Sequence, residues 1–266
     1  MTGFQRVVKY IAIALAITLL IVIISVVSEF FAMLDSSKNS DNDDLKEITP
    51  VDESFKSIDI DIEACSLEIK DSDDFKVFTD SDKVTCKIIN DTLTIKEKDK
   101  SLFNHHEKNI VLHLPTHYAI EKVSIDGGAG KISINSLICE NLDFNIGAGS
   151  VILSDITVSD LADIDGGVGS FKINNAKINN LNIDLGVGNA DISAHISNAE
   201  IIAGIGDLVL NLEGDKSEYT IKSDAGIGDI IVEGTRVDGS ATTGDGDNVI
   251  KISGGISSIN VNFISE

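Results

Sequence analysis

Gly128-Ala129-Gly130-Lys131-Ile132-Ser133-Ile134-Asn135-Ser136-Leu137-Ile138-Cys139-Glu140-Asn141-Leu142-Asp143-Phe144-Asn145-Ile146 leads from one Gly-x-Gly triplet to the start of the next at Gly147. Its apolar residues Ile132, Ile134, Leu137, Cys139, Leu142, Phe144 and Ile146 recur at the same offsets after Gly169, as Phe171, Ile173, Ala176, Ile178, Leu181, Ile183 and Leu185. Alternation of apolar and polar residues marks strands with one buried face. Where the apolar spacing jumps to three, the chain turns a corner and the parity resets. Each such stretch reads as one three-sided coil.

The triplet recurs at Gly128 and Gly130, Gly147 and Gly149, Gly167 and Gly169, Gly186 and Gly188, Gly204 and Gly206, and Gly226 and Gly228, in steps of 19, 20, 19, 18 and 22 residues. A period near twenty in a strand-rich chain predicts stacked rungs. The expected fold is therefore all-β, a parallel β-solenoid (β-helix-like) with about three short strands per 19-residue rung. Glycine at the triplets permits positive φ and close approach of neighbouring backbones. The middle residues Ala129, Ala148, Val168, Val187, Ile205 and Ile227 are expected to point inward as a core column.

Irregularities interrupt the period. One extra residue is expected after Leu161, one is missing near Ala194-His195-Ile196, and Glu213-Gly214-Asp215-Lys216 enlarges a corner. Gly244-Asp245-Gly246 reads as a weaker, terminal copy with a capping role. Upstream, Ile58, Ile60, Ile62, Leu67 and Ile69 repeat the pattern with Glu63-Ala64-Cys65 in place of the triplet, and further strands are expected near 76–79, 83–89, 92–97, 110–114 and 122–125. Asp99–Asn109 reads as a surface loop, and successive coils are expected to stack in chain order.

Only 5% of the 266 residues are aromatic, Trp is absent, and the 22 glycines accompany many Val, Ile and Leu, which fits thin aliphatic layers better than a large globular core. The formal charge of −22 disfavours nucleic acid and anionic lipid, which require clustered Lys and Arg. Tyr10–Ser28 carries no charge and, as a helix of about 28 Å, matches the bilayer's hydrocarbon thickness. Arg6 and Lys9 before it place residues 1–9 in the cytoplasm and the rest outside. A retained anchor is preferred to a cleaved signal, because the stretch is long and no A-x-A follows. Residues 29–51 form an acidic linker, and 52–266 the solenoid, irregular over 52–125 and regular over 126–266.

Phe55-Lys56-Ser57-Ile58-Asp59-Ile60, Val111-Leu112-His113-Leu114-Pro115 and the repeated glycine turns give residues 52–264 a resemblance to the bacterial putative-adhesin family of β-strand repeats, the LiaG-like domain of unknown function. The resemblance implies an extracytoplasmic, membrane-tethered solenoid associated with envelope stress systems in Gram-positive bacteria. It implies no catalytic residue.

Little chemistry rises above this. Gly-Gly-x-Gly at 127–130 and 166–169 resembles calcium nonapeptides, but the period is wrong and Ile132 and Phe171 stand where an Asp is needed. Weak divalent-cation binding by the acidic corners (Asp126, Asp165, Asp207, Asp229, Asp245, Asp247) is left open. His105, His106, His113 and His117 cluster in sequence, but Pro115 precludes a helix aligning the last two, so they read as surface histidines. Cys139 reads as a small buried hydrophobe, and a Cys65–Cys86 disulfide is conceivable outside the membrane. No nucleophile elbow, P-loop or H-E-x-x-H motif is present, so a non-enzyme without cofactor is expected. Two readings follow. One is an envelope scaffold or accessory sensor with a protein partner in or near the membrane. The other is an adhesin-like module binding an extracellular ligand or cell-wall material.

Overall fold

Alternating residues such as Ile132, Ile134, Val151, Leu153, Phe171 and Ile173 bury one face of each strand, and stacking in register closes that face off from water. The structure, a computed structural model, describes residues 45–51, 54–98, 108–237 and 239–264. The segment 10–28, read as a transmembrane helix, lies outside them. Among the described residues no helix is long and apolar enough to cross a membrane.

The described residues are all-β, with one short 3₁₀ turn at Lys216–Glu218. The central rungs are β2 (Ser57–Ser72), β7 (Ala119–Ile134), β8 (Leu137–Ser154), β9 (Ile156–Glu213) and β14 (Asn248–Ile264), paired in parallel in that order. β9 winds through three successive coils, as hydrogen bonds between its residues 18 and 20 apart show (Asn198 to Asn180, Asn211 to Asp191). Pairing continues through the glycine corners of β7, β8, β9 and β14, so these run on as continuous strands where about three short strands per rung were expected.

Interior columns are aliphatic: Val123, Leu142 and Ala162 stack in register, as do Ile125, Phe144 and Ile164. Phe144 and Phe171 meet edge-to-face across the interior at 6.2 Å between centroids. Each fully buried Ile or Leu contributes about 1.5–3 kcal/mol of transfer free energy.

Chain order and stacking order part company at both ends. At the N-terminal end β2 is the second rung: the outermost consists of β5 (Thr92–Glu97) and β6 (Lys108–Pro115), and the chain then returns across β2 to start β7. At the C-terminal end β14 inserts between β9 and the outer strands β10 (Tyr219–Asp224) and β11 (Ile227–Val232). Both outer rungs are covered by antiparallel strands: β1 (Lys46–Glu47) and β3 (Lys76–Thr79) over β6, β4 (Val84–Ile89) on β5, β12 (Thr235–Val237) on β11, and β13 (Ser240–Thr243) on β10. An exposed parallel edge would template pairing with other chains, and among the described residues this arrangement places short antiparallel strands outermost. The β4–β5 turn has φ of 49° at Asn90 and 59° at Asp91, the pair of left-handed residues that a tight hairpin requires.

Strict sequential stacking is thus corrected. Gly244-Asp245-Gly246 is not a rung corner but the return from β13 into β14. The corner of that rung lies at Gly254-Gly255-Ile256, in register with Ala203 to Ile205. The register shift in the third coil precedes Leu161, because Cys139 pairs with Val158 and Asn141 with Leu161.

Candidate functional site

The glycine corner is the most regular feature of the surface. Inward residues on one coil are Leu142, Phe144 and Ile146, then Gly149, Val151 and Leu153. The step of three across the triplet is a parity reset that alternation alone does not reveal. It arises because the last glycine of each triplet has positive φ, 155° at Gly149 and 148° at Gly169, which rotates the chain by one position. A Cβ on Gly169 would collide with the carbonyl oxygen of Gly149, so the corner also needs glycine for close stacking.

The expected inward column is therefore corrected: Ala129, Ala148, Val168, Val187, Ile205 and Ile227 lie outside the core. Ala129, Ala148 and Val168 are half-buried, Val187 is 38% exposed, Ile205 42% and Ile227 71%. Parallel register extends the row to Ala64 at one end and places Ile256, 54% exposed, between Ile205 and Ile227. The result is an external ladder whose side chains grow from Ala through Val to Ile toward the C-terminal end. Ile256 was missed because its Gly254-Gly255 corner lacks the Gly-x-Gly spacing.

Acidic and polar residues flank the ladder. Asp61, Asp126, Asn145 and Asp165 form one outward column before the corner. After it, Ser150 accepts a hydrogen bond from the Ser170 hydroxyl at 3.0 Å. Farther along that face, Asn211 donates to Ser193 at 3.1 Å and accepts from Asn262 at 2.9 Å. Exposed ion pairs such as Lys122–Asp143 (3.3 Å) and Lys172–Asp191 (3.7 Å) neutralise part of the acidity.

At another corner, a polar surface groove of about 380 Å³ is lined by Asp155, Thr157, Asn175, Lys177, His195 and Glu213 among others. Asp155 (φ 53°) and Asn175 (φ 50°) supply an extra corner residue on two rungs, and Asn175 donates its amide to Asp155. The rung carrying His195 lacks that residue, and the next leaves the stack after Glu213, so two sequence irregularities meet at one indentation. His195 Nδ1 lies 3.1 Å from the Glu213 carbonyl oxygen, which also accepts from the buried Tyr219 hydroxyl at 2.6 Å.

At the N-terminal end Glu97 and Lys108 form a buried ion pair, and Glu97 also accepts from the Glu63 backbone N–H at 3.1 Å. His113 packs against Phe78 with the rings tilted by 59° and their centroids 5.2 Å apart, and burial followed by the Lys70 charge lowers its pKa. His105 and His106 lie outside the described residues. Cys86 and Cys139 carry free thiols, pushed up to about 12 by burial, so neither is primed as a nucleophile. Tyr118 joins Phe55 and Phe75 in an aromatic cluster, with centroids 5.1 and 5.0 Å from Phe55. Among the described residues no group of three or more His, Cys, Asp or Glu is placed to hold a metal ion.

No curated protein matches the chain. Similar solved structures include a "putative cell adhesion protein" from Clostridium sporogenes (16% identity, 83% of this chain and 98% of that one, TM-score 0.41). Others are a "putative adhesin" from Bacteroides fragilis (15%, 83% and 96%, 0.45) and a "putative lipid binding protein" from Parabacteroides distasonis (16%, 82% and 95%, 0.42). The family model of the Toastrack DUF4097 domain matches residues 55–262, which takes in every rung of the stack from β2 to β14. The chain belongs to the Toastrack DUF4097 family.

Proposed function

We propose that this protein is a non-enzymatic scaffold or accessory sensor of the bacterial cell envelope, LiaG-like in organisation, anchored by residues 10–28 and holding its solenoid outside the cytoplasmic membrane. The observation that carries the reading is the end-capped stack itself. It repeats outward side chains rung after rung into long, firmly held faces, the form of surface on which another protein can be aligned. The apolar, uncharged stretch with Arg6 and Lys9 before it supports the location and orientation. A role in envelope stress signalling is part of the proposal.

The polar groove favours a second reading, an adhesin-like module that binds an extracellular ligand or wall material, because Lys177, His195 and Asp155 converge there on a concave surface. One experiment separates the two. The tagged full-length chain is expressed in a Gram-positive host, its solenoid tested for protease access in intact protoplasts, and the detergent extract affinity-purified. The scaffold reading expects cleavage from outside and stoichiometric co-purification of a membrane protein. A protected solenoid overturns the location, recovery with wall fragments and no protein overturns the scaffold, and polysaccharide turnover overturns the non-enzymatic assignment.

A further inference from the structure

Isolated exposed aliphatic residues are ordinary on protein surfaces, but a contiguous row of them is not. Val187, Ile205, Ile256 and Ile227 stand on adjacent rungs in register, and their exposure rises in that order from 38% to 71%, so none of the described elements covers them. Ile202, 44% exposed, lies beside the row on the rung of Ile205. With strands about 4.8 Å apart, the stretch from Val168 to Ile227 extends about 19 Å, the length of a helix of about thirteen residues.

Charge decides what can cover it. Exposed Asp184 and Asp224 precede the corners of Val187 and Ile227, and exposed Asp207 follows that of Ile205. A second copy laid on the ladder would set these carboxylates against one another, on chains of formal charge −22 each. An anionic lipid surface meets the same repulsion. A segment with an aliphatic stripe bordered by Lys or Arg satisfies both the apolar row and its acidic rim.

We propose that the ladder Val187–Ile205–Ile256–Ile227 is the docking site for a basic amphipathic helix of a partner protein, lying along the stacking axis. The proposal deepens the scaffold reading by assigning the chemistry of its partner.

The test uses the full-length chain in nanodiscs of zwitterionic lipid, with a fluorescent helical peptide of about eighteen residues made of Leu and Lys at amphipathic spacing, and empty discs as reference. Binding is read by anisotropy, with a Glu-for-Lys peptide as control. One peptide should bind per chain, the Glu peptide should not, and the triple variant Ile205→Ser, Ile256→Ser, Ile227→Ser should weaken binding at least about tenfold. The single variant Ile227→Ser, at the most exposed position, should show part of the loss without disturbing the fold. Undiminished binding by both variants would overturn the proposal, since charge alone would then hold the peptide. It is equally overturned if binding merely equals that of empty discs, or if sedimentation shows a wild-type dimer that the triple variant dissolves. The titration does not depend on where the domain resides in the cell, so its failure leaves the envelope reading standing, and a cytoplasmic location would leave the titration valid.

Discussion

Two glycines three residues apart obey opposite rules. Gly169 has φ of 148°, and an added Cβ would overlap the Gly149 carbonyl of the neighbouring rung. Gly166 has ordinary backbone, and its added Cβ would meet the Asp184 carbonyl oxygen at 3.6 Å and Leu185 Cδ2 at 3.7 Å, normal contacts at a position where the neighbouring rung carries Ile146 in register. Gly169→Ala should therefore cost at least about 2 kcal/mol from strain and overlap together. Gly166→Ala should be neutral or stabilising by up to about 1 kcal/mol, through the reduced freedom of the unfolded chain. Paired urea melts of the two variants check this, and equal losses would refute the distinction. The sequence shows both residues as glycine in a Gly-Gly-x-Gly run. Only the tertiary structure shows which one has positive φ and lies too close to a neighbouring carbonyl for a Cβ.

At the scale of elements, the outermost N-terminal rung is fastened by an ion pair rather than by a glycine corner. Glu97 ends β5 and Lys108 opens β6, with side chains 2% and 9% exposed. The Glu63-Ala64-Cys65 turn, which replaces a triplet, uses the same Glu97 carboxylate to satisfy its Glu63 N–H. Glu97→Gln leaves the Lys108 ammonium buried beside a neutral amide and should cost about 3–5 kcal/mol in equilibrium unfolding. Glu97→Leu with Lys108→Met should recover part of that loss, since a matched apolar pair removes both desolvation penalties but also removes the oxygen that accepts from the Glu63 N–H. Failure of the double variant to outperform Glu97→Gln would show that the pair holds a geometry that aliphatic packing cannot. No sequence rule pairs these residues, because their meeting depends on β5 and β6 lying along one rung on the far side of β2.

For the whole molecule, the chain carries a formal charge of −22, and columns of its stack repeat like charges at strand spacing, as Asp61 with Asp126 and Asp143 with Asp163. Self-repulsion of this kind destabilises a compact state and is screened over about 10 Å at 0.1 M salt. The melting temperature should rise between about 0.01 and 0.5 M sodium chloride, and a flat or falling trend would show that the exposed pairs such as Lys122–Asp143 outweigh the repulsion. The same acidity is the ground on which a basic partner is proposed for the ladder.

Apolar alternation around Ile132, Phe144, Ile164 and Ile183, with triplets about nineteen residues apart, was sufficient to read an all-β, mostly parallel, solenoid-like stack with glycine bends, since burial of one strand face imprints directly on residue type. The direction in which Val187, Ile205 and Ile227 point was not legible, because an aliphatic residue after alternating aliphatics looks inward until a positive φ at the next glycine shifts the parity. Nor was the placement of β2 and β14 as second-to-outermost rungs. Stacking order is settled by which edges the whole chain can cover, a property of no single segment, and tertiary packing alone decided it.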